Sequence, residues 1–329
     1  MSIVFREMQP TEIHQVHKVG KSSFGLVEAL FMPKPKNAVL ATEADEIVGG
    51  ITYKVFRGKG GKQVGWAETA FVSKDHVGKG IGNLLYAETT KSLQARGCET
   101  VITMVRDDNV ASWKAFENSG YNRLSYTQMI QHLGLLGFLR FWLISMNCIA
   151  VGHDLWATVP SQPSTSSRQI LLYLMLTLAT LLPALRIRFS FESFGVNALA
   201  IVALLVAAMI GGVIAVATSG RRWRFRLTRG GLLISLAVAA LGGGFPMVSR
   251  FYPEKYERSP AFRRSMGLEG LMEWGAVLLL YIIAFFLHET AIFWKAVLSF
   301  GPSILLYHAI PVFPFGSYGG TRIWDWNRY

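Results

Sequence analysis

The chain has 329 residues, of which 51% are hydrophobic and only 16% charged, with a formal net charge of +12. This balance excludes disordered, collagen-like and disulfide-stapled architectures, and the length suggests two domains. Residues 1–130 hold 16 Lys+Arg against 13 Asp+Glu, whereas 131–329 hold 17 against 8, mostly arginines clustered between apolar runs. Such clusters follow the positive-inside pattern of membrane proteins, so a nucleic-acid partner is not expected. Cys98 and Cys148 fit a reduced compartment and cannot build a disulfide framework.

Residues 3–8 are predicted as a strand, and Pro10, Thr11 and Glu12 open a helix with Ile13, Val16 and Val19 on one face. Strands are predicted over 38–42 and 47–56 around a turn at 43–46. The basic, glycine-rich stretch 57–62 then makes a hairpin connection to a strand over 63–72. A glycine-rich turn at 78–82 leads into an amphipathic helix over 84–96, stopped by Gly97. Residues 100–105 read as a buried strand, 109–119 as a helix closed by Gly120, and 121–130 as a returning strand. The pattern predicts an α/β domain over 1–130.

Beyond it, uncharged runs cover 169–185, 193–220, 230–249, 274–288 and 296–321. A helix that crosses a bilayer needs about 20 apolar residues. Arg221, Arg222, Arg224, Arg226 and Arg229 precede 230–249, and Arg250, Lys255, Arg258, Arg263 and Arg264 follow it. Keeping both clusters cytoplasmic requires 230–249 to enter the membrane and return. Gly242-Gly243-Gly244 and Pro246 break its helix, and other helices must shelter such a backbone. Spanning helices are expected near 170–187, 194–218, 271–288 and 291–313, with the N-terminal domain and both termini cytoplasmic. A charge at the bilayer centre costs about 2.5–3.5 kcal/mol. The apolar run 133–152, with Arg140 near its middle, is therefore expected to lie along the interface. The expected organisation is a domain over 1–130, an interfacial helix and linker over 131–168, and a multi-spanning α-helical domain over 169–329 that contacts the lipid bilayer.

The most informative stretch is Glu68-Thr69-Ala70-Phe71-Val72 running into Val77-Gly78-Lys79-Gly80-Ile81-Gly82. Glycines expose backbone amides and the helix start adds positive charge, so the turn can hold a pyrophosphate. A dinucleotide fingerprint needs G-x-G-x-x-G, whereas Gly78, Gly80 and Gly82 are spaced two and two. Together with Asn109-Val110-Ala111-Ser112-Trp113 through Gly120-Tyr121, this arrangement resembles the GNAT family of acetyl-CoA-dependent N-acetyltransferases. The resemblance implies the acyl-CoA N-acyltransferase fold, a mixed central sheet flanked by helices, with acetyl-CoA as co-substrate and an amine-bearing acceptor. It implies that the turn Val77, Gly78, Lys79, Gly80, Ile81 and Gly82 receives the pyrophosphate, and that Phe71 and Val72 offer backbone to the pantetheine arm. Asn109 and Ser112 then lie along the coenzyme. Val77 stands where the family has Arg or Gln.

Acetyl transfer to an amine requires a neutral amine and a leaving thiolate. By the same resemblance Glu68 is the catalytic base, acting through water, while Phe116 replaces a tyrosine that often serves as acid. Water or a nearby tyrosine must then supply that proton, with Tyr86 and Tyr121 as the neighbours available. The departures at Val77 and Phe116 leave open a second reading, a non-catalytic sensor of acetyl-CoA. His14 and His17, three apart on the first helix, read as a solvated helix face.

The second half is similar to part of the site-2 protease family, in which an arginine-bearing strand, here Arg224-Phe225-Arg226, leads into a re-entrant element. That family's zinc needs two His and one Asp. Gly319 stands where the Asp would be, and His288-Glu289-Thr290-Ala291-Ile292 breaks off before its second His. His308 could approach His288 only across a hairpin. A scaffold with no metal is expected.

Overall fold

The computed structural model describes residues 3–25, 29–30, 32–106, 109–145, 153–160, 166–188, 191–227, 235, 239–241, 249–255, 257, 259–311 and 319–327. The chain divides into two compact units. The first comprises Met1–Val105, Asn109–Met146 and Asp154–Gln162; the second is chiefly Pro163–Tyr329.

The first unit is built on strands β1 (Val4–Glu7), β2 (Ala38–Glu43), β3 (Glu46–Arg57), β4 (Gln63–Val72), β5 (Cys98–Arg106), β6 (Asn122–Arg123) and β7 (His153–Ala157). They form one mixed sheet in the order β1-β2-β3-β4-β5-β7-β6. The first four strands pair antiparallel. β4 and β5 run parallel, joined through helix α2 (Ile81–Ala95). Ala44 and Asp45, both at positive φ, make the two-residue turn between β2 and β3. Helix α1 (Ile13–Ser23) covers one face, where Val16 packs with Leu40 and Phe71. α2 covers the other, and it comes so close that a Cβ on Gly65 would lie 2.9 Å from the Leu93 side chain. Helix α3 (Val110–Asn118) follows β5.

Two segments differ from the sequence expectation. The strand expected over 121–130 shrinks to Asn122–Arg123, and the chain turns at Ser125 into helix α4 (Tyr126–Ile144). The Ser125 hydroxyl accepts from the Gln128 amide at 3.1 Å, while the Gln128 side chain accepts from the Ser125 amide at 2.8 Å. This reciprocal cap is a helix-start signal. The stretch expected to be a linker, 153–168, instead begins with β7, a buried strand inserted between β5 and β6. Asp154 there receives Arg123 of β6 at 2.6 Å. Residues 146–152, including Cys148, lie outside the described residues.

The second unit contains α5 (Ser166–Arg188), α6 (Phe191–Thr218), β8 (Trp223–Leu227), β9 (Ser249–Pro253), α7 (Pro260–Leu287), α8 (Ile292–Ala309) and α9 (Gly320–Asn327). Two of these helices are long and apolar enough to cross a membrane, over Phe194–Thr218 and Pro260–Leu287. The multi-spanning expectation named four; α5 and α8 do form near the other two positions. The element expected to re-enter, 230–249, lies almost wholly outside the described residues, as does most of the Pro-rich stretch after Ile310. Its ends are described: Leu227 of β8 is the register partner of Ser249 in β9, so the chain leaves and rejoins one antiparallel pair.

Arg250, expected among exposed cytoplasmic charges, is buried at 2% exposure instead. It pairs with Glu273 at 2.5 Å and Glu269 at 3.0 Å, and Arg322 pairs with the same Glu269 at 2.5 Å. Arg322 also donates to the Phe251 carbonyl at 2.9 Å and lies over the Tyr252 ring. The two glutamates are one helical turn apart on α7, so both meet the arginines of β9 and α9. Gly319 is required beside them, since a Cβ there would lie 2.5 Å from Arg250 Nη1. The position that could have carried a metal-binding Asp is thus filled by a guanidinium. His288 ends α7 and His308 lies in the last turn of α8, about 25 Å away along that helix at 1.5 Å per residue, so the two do not approach. Among the described residues no cluster of three or more His, Cys, Asp or Glu could hold a metal.

Removing one member of a buried ion pair leaves its partner charged and unsolvated, at a cost of about 3–5 kcal/mol. Glu269→Ala should therefore sharply lower the recovery of folded protein in detergent and its apparent Tm. Glu289→Ala, at an exposed pair with Lys295, should leave both unchanged.

Candidate active site

The site begins where two parallel strands part. β4 and β5 pair from Gln63↔Cys98 to Ala67↔Thr103 and no further. The β3–β4 ladder shifts register at the same level, with Tyr53↔Ala67 followed by Thr52↔Thr69, which leaves Glu68 as the bulged residue. A bulge bends its strand and increases twist, turning the last residues of β4 away from β5. The Ser73 amide donates to the Val48 carbonyl at 2.8 Å. By the alternation of an antiparallel ladder, Ala70 and Val72 direct their backbone groups to the open edge, and Phe71 directs its own toward β3. The Phe71 side chain is core, packed with Val16 and Met32. Of the two residues expected to offer backbone to a pantetheine arm, the geometry puts Val72 on the open edge, beside Ala70.

The turn after β4 is braced. Ser73 Oγ lies 2.8 Å from His76 Nδ1, and His76 Nε2 lies 2.9 Å from Glu43 Oε2, which ties the turn to the β2–β3 hairpin. The His76 contact holds the Glu43 carboxyl below its usual range. Gly80, at φ 80, is the residue before α2, a conformation that L side chains rarely adopt. Ile81 is buried and anchors the first turn. The Ile81 and Gly82 amides have no acceptor within the helix, because the first turn of any α-helix lacks them. They carry the positive end of the helix dipole. A Cβ at Gly80 or Gly82 would meet no atom within 4 Å, so the approach to these amides is open. Val77 is 63% exposed, and Lys79 is exposed beside it. The amides, the dipole and the free space fit a pyrophosphate.

The second helix start lies at the end of β5. Asn109 caps α3 by accepting from the Ser112 amide at 3.2 Å, so the two residues expected along the coenzyme stand together. α2 and α3 interlock through aromatics: Phe116, fully buried, packs on Tyr86 at 4.6 Å, Trp156 at 5.7 Å and Tyr121 at 5.9 Å. Tyr121 shares a 2.7 Å hydrogen bond with Thr90, whose hydroxyl donates to the Tyr86 carbonyl. Burial pushes the Tyr121 phenol up to about 12 and also raises that of Tyr86, which hydrogen-bonds Thr103. Both phenols are held inside the brace and kept protonated.

Glu68 is largely enclosed, with its side chain 13% exposed, and pairs with Lys54, whose ammonium lies 5.0 Å over the Trp66 ring. Sequence reasoning did not single out Lys54. Its signal is its place in the ladder, opposite Trp66 and beside the bulge. His14 is exposed on α1, and His17 Nε2 lies 3.2 Å from the Met32 carbonyl.

Each hydrogen bond from an amide to an ionised acceptor contributes about 1.5–3 kcal/mol. Gly82→Trp, which enters open space, should fold normally and weaken acetyl-CoA binding by about 100-fold when two such bonds are blocked. Calorimetry on the full chain checks this.

The model of the acetyltransferase (GNAT) family matches residues 8–121. Among solved structures, the chain is similar to a putative acetyltransferase of the GNAT family from Desulfovibrio desulfuricans. That match has 18% identity, covers 38% of this chain and 87% of that one, and has a TM-score of 0.33. It is similar to Arabidopsis thaliana NAA60 in complex with acetyl-CoA at 14% identity, 38% and 88% coverage and a TM-score of 0.32. For the ribosomal-protein-S18-alanine N-acetyltransferase from Escherichia coli the values are 15% identity, 50% and 97% coverage and a TM-score of 0.34. A search of curated proteins finds no match. Over residues 8–121 the chain is an acetyl-CoA-dependent N-acetyltransferase domain of the GNAT family.

Proposed function

We propose that the chain is a membrane-anchored N-acetyltransferase whose domain works on the cytoplasmic side, transferring acetyl from acetyl-CoA to an amine. The observation that carries the reading is the parting of β4 from β5 directly beside the open start of α2. Anchoring is supported by the two helices of membrane-spanning length and apolarity. The cytoplasmic side is supported by the basic residues that flank β8 and β9. The pairing of Leu227 with Ser249 supports an intervening stretch that begins and ends on one face of the membrane.

In this reading the amides of Gly80, Ile81 and Gly82 hold the pyrophosphate, with Val77, Gly78 and Lys79 completing the turn. The open edge at Val72 orients the pantetheine arm, and Asn109 and Ser112 border it. Acetyl-CoA supplies a thioester, whose carbonyl the amine attacks. Glu68 accepts the proton of the incoming ammonium through a water. Lys54 pairs with that carboxylate beside the bulge. An alkyl thiol has a pKa of about 8.5, so the departing thiolate takes its proton from solvent without a dedicated acid. This accounts for Phe116: the position braces α2 against α3.

General-base catalysis contributes about 10²–10⁴-fold. Glu68→Gln should therefore lower kcat by at least about 100-fold and leave the acetyl-CoA Kd unchanged. Release of free CoA over many turnovers, measured against a panel of amines that includes peptide N-termini, lysine side chains, polyamines and aminosugars, tests the transferase. Tight coenzyme binding without turnover on any amine would favour a sensor instead.

A further inference from the structure

We propose that the outer face of α4, flanked by Arg57 and Lys59 and carrying Arg140, docks the acetyltransferase domain on the anionic surface of a lipid bilayer. From Leu133 onward α4 is almost wholly apolar, but only one of its faces is used by the domain. Met129, Leu133 and Phe141 are buried, and Phe141 stacks on Phe56 at 5.7 Å and meets Trp66 edge-on at 5.2 Å. The opposite stripe carries Leu135, Leu136, Leu139, Leu143 and Ile144, each between 44% and 82% exposed. Their i, i+4, i+8 spacing makes one continuous band. A soluble surface scatters its exposed aliphatics singly, and a contiguous band marks an interaction site.

The charges around the band identify the occupant. Gly134 breaks the helix at φ 73 and lets Lys59 of the β3–β4 hairpin lie against it. Gly137 packs on Gly58, next to the Arg57 carbonyl. Arg57 and Lys59 therefore flank the band at one end, and Arg140 lies within it, one helical turn from both Leu136 and Ile144. All three are exposed, and none forms an ion pair among the described residues. An aliphatic face bordered by unpaired cations complements acyl chains beneath anionic headgroups, with the long basic side chains reaching up to the phosphates. The chain beyond α4 goes on to the two helices, among the described residues, that are long and apolar enough to cross a bilayer, and these tether the domain to lipid in the proposed reading. The inference deepens the membrane-anchored reading: a second, reversible contact would hold the catalytic domain at a set height over the membrane and favour amines presented at that surface.

The test uses the full chain in nanodiscs, with an environment-sensitive fluorophore on Leu136→Cys in a Cys148→Ser background. The discs contain phosphatidylcholine alone or with phosphatidylglycerol, and nitroxide lipids serve as quenchers. We expect a blue-shifted probe quenched by nitroxides at headgroup depth, more strongly with phosphatidylglycerol. Each basic residue at an anionic surface changes partitioning about fivefold. Reversing Arg57, Lys59 and Arg140 to Glu should thus lower the docked-to-undocked ratio by at least about 100-fold, while acetyl-CoA binding persists. A probe that is not quenched overturns the inference. So does quenching indifferent to both lipid charge and the triple reversal. A blue-shifted probe without lipid quenching also overturns it, since the band is then covered by a second copy or by another part of the chain. Extraction of the chain from membranes by alkaline carbonate would instead refute the anchoring itself, a result independent of the probe.

Discussion

The first unit depends on a single interruption of backbone hydrogen bonding. After Ala67 and Thr103, β4 and β5 no longer share a ladder, and the bulge at Glu68 supplies the bend that separates them. Parallel strands normally stay paired because an unpaired amide in a protein interior is costly. An opened ladder is tolerated where a ligand backbone can take the partner's place. The same bend carries Glu68, whose side chain pairs with Lys54 of β3. It also leaves the starts of α2 and α3, each following one of the parted strands, at the mouth of the opening.

Holding such an opening requires rigidity on the side away from it. The brace of Tyr86, Phe116, Tyr121 and Trp156 provides this, with Thr90 and Thr103 satisfying the phenols. A hydrophobic ring at 116 gives up a proton donor and gains a sealed junction between the two helices. The exchange is chemically affordable because a thiolate is a good leaving group. The catalytic demand then falls on deprotonating the amine and on positioning, which the proposed function assigns to Glu68 and the open edge of β4.

The second unit obeys a different economy. Its apolar helices leave few charged groups inside, and the buried arginines and glutamates among the described residues compensate one another: Glu269 serves both Arg250 and Arg322, and Glu273 serves Arg250 again. The glycines at 270 and 319 make room for the Arg250 guanidinium. Buried charge that is balanced in this way fixes which helix faces meet. A packing that separated these groups would strand a charge in an apolar medium.

Much of the architecture was legible in the sequence, and its limits can be traced to particular residues. The meander β1–β4, the glycine turn and helices α2 and α3 announce themselves, because alternation, turn glycines and caps act within a few neighbouring residues. Glu68 and the amides at Gly80 and Gly82 were visible for the same reason. The strand at His153–Ala157 was not, since its partners lie some fifty residues back in β5 and thirty in β6. Nor could the sequence reveal that Arg250 is buried, that Tyr86 and Tyr121 are sealed in a brace, or that Lys54 meets Glu68. Each of these depends on a partner brought close only by the packing of the whole unit. The sequence alone determined the local geometry of a glycine-rich turn at a helix start and the apolar character of the second half, because short-range sterics and hydropathy suffice for both. Tertiary structure alone decided which backbone edge stays open and which charges are paired inside, because hydrogen bonds and ion pairs between distant segments form only once the sheet and helices have chosen their neighbours.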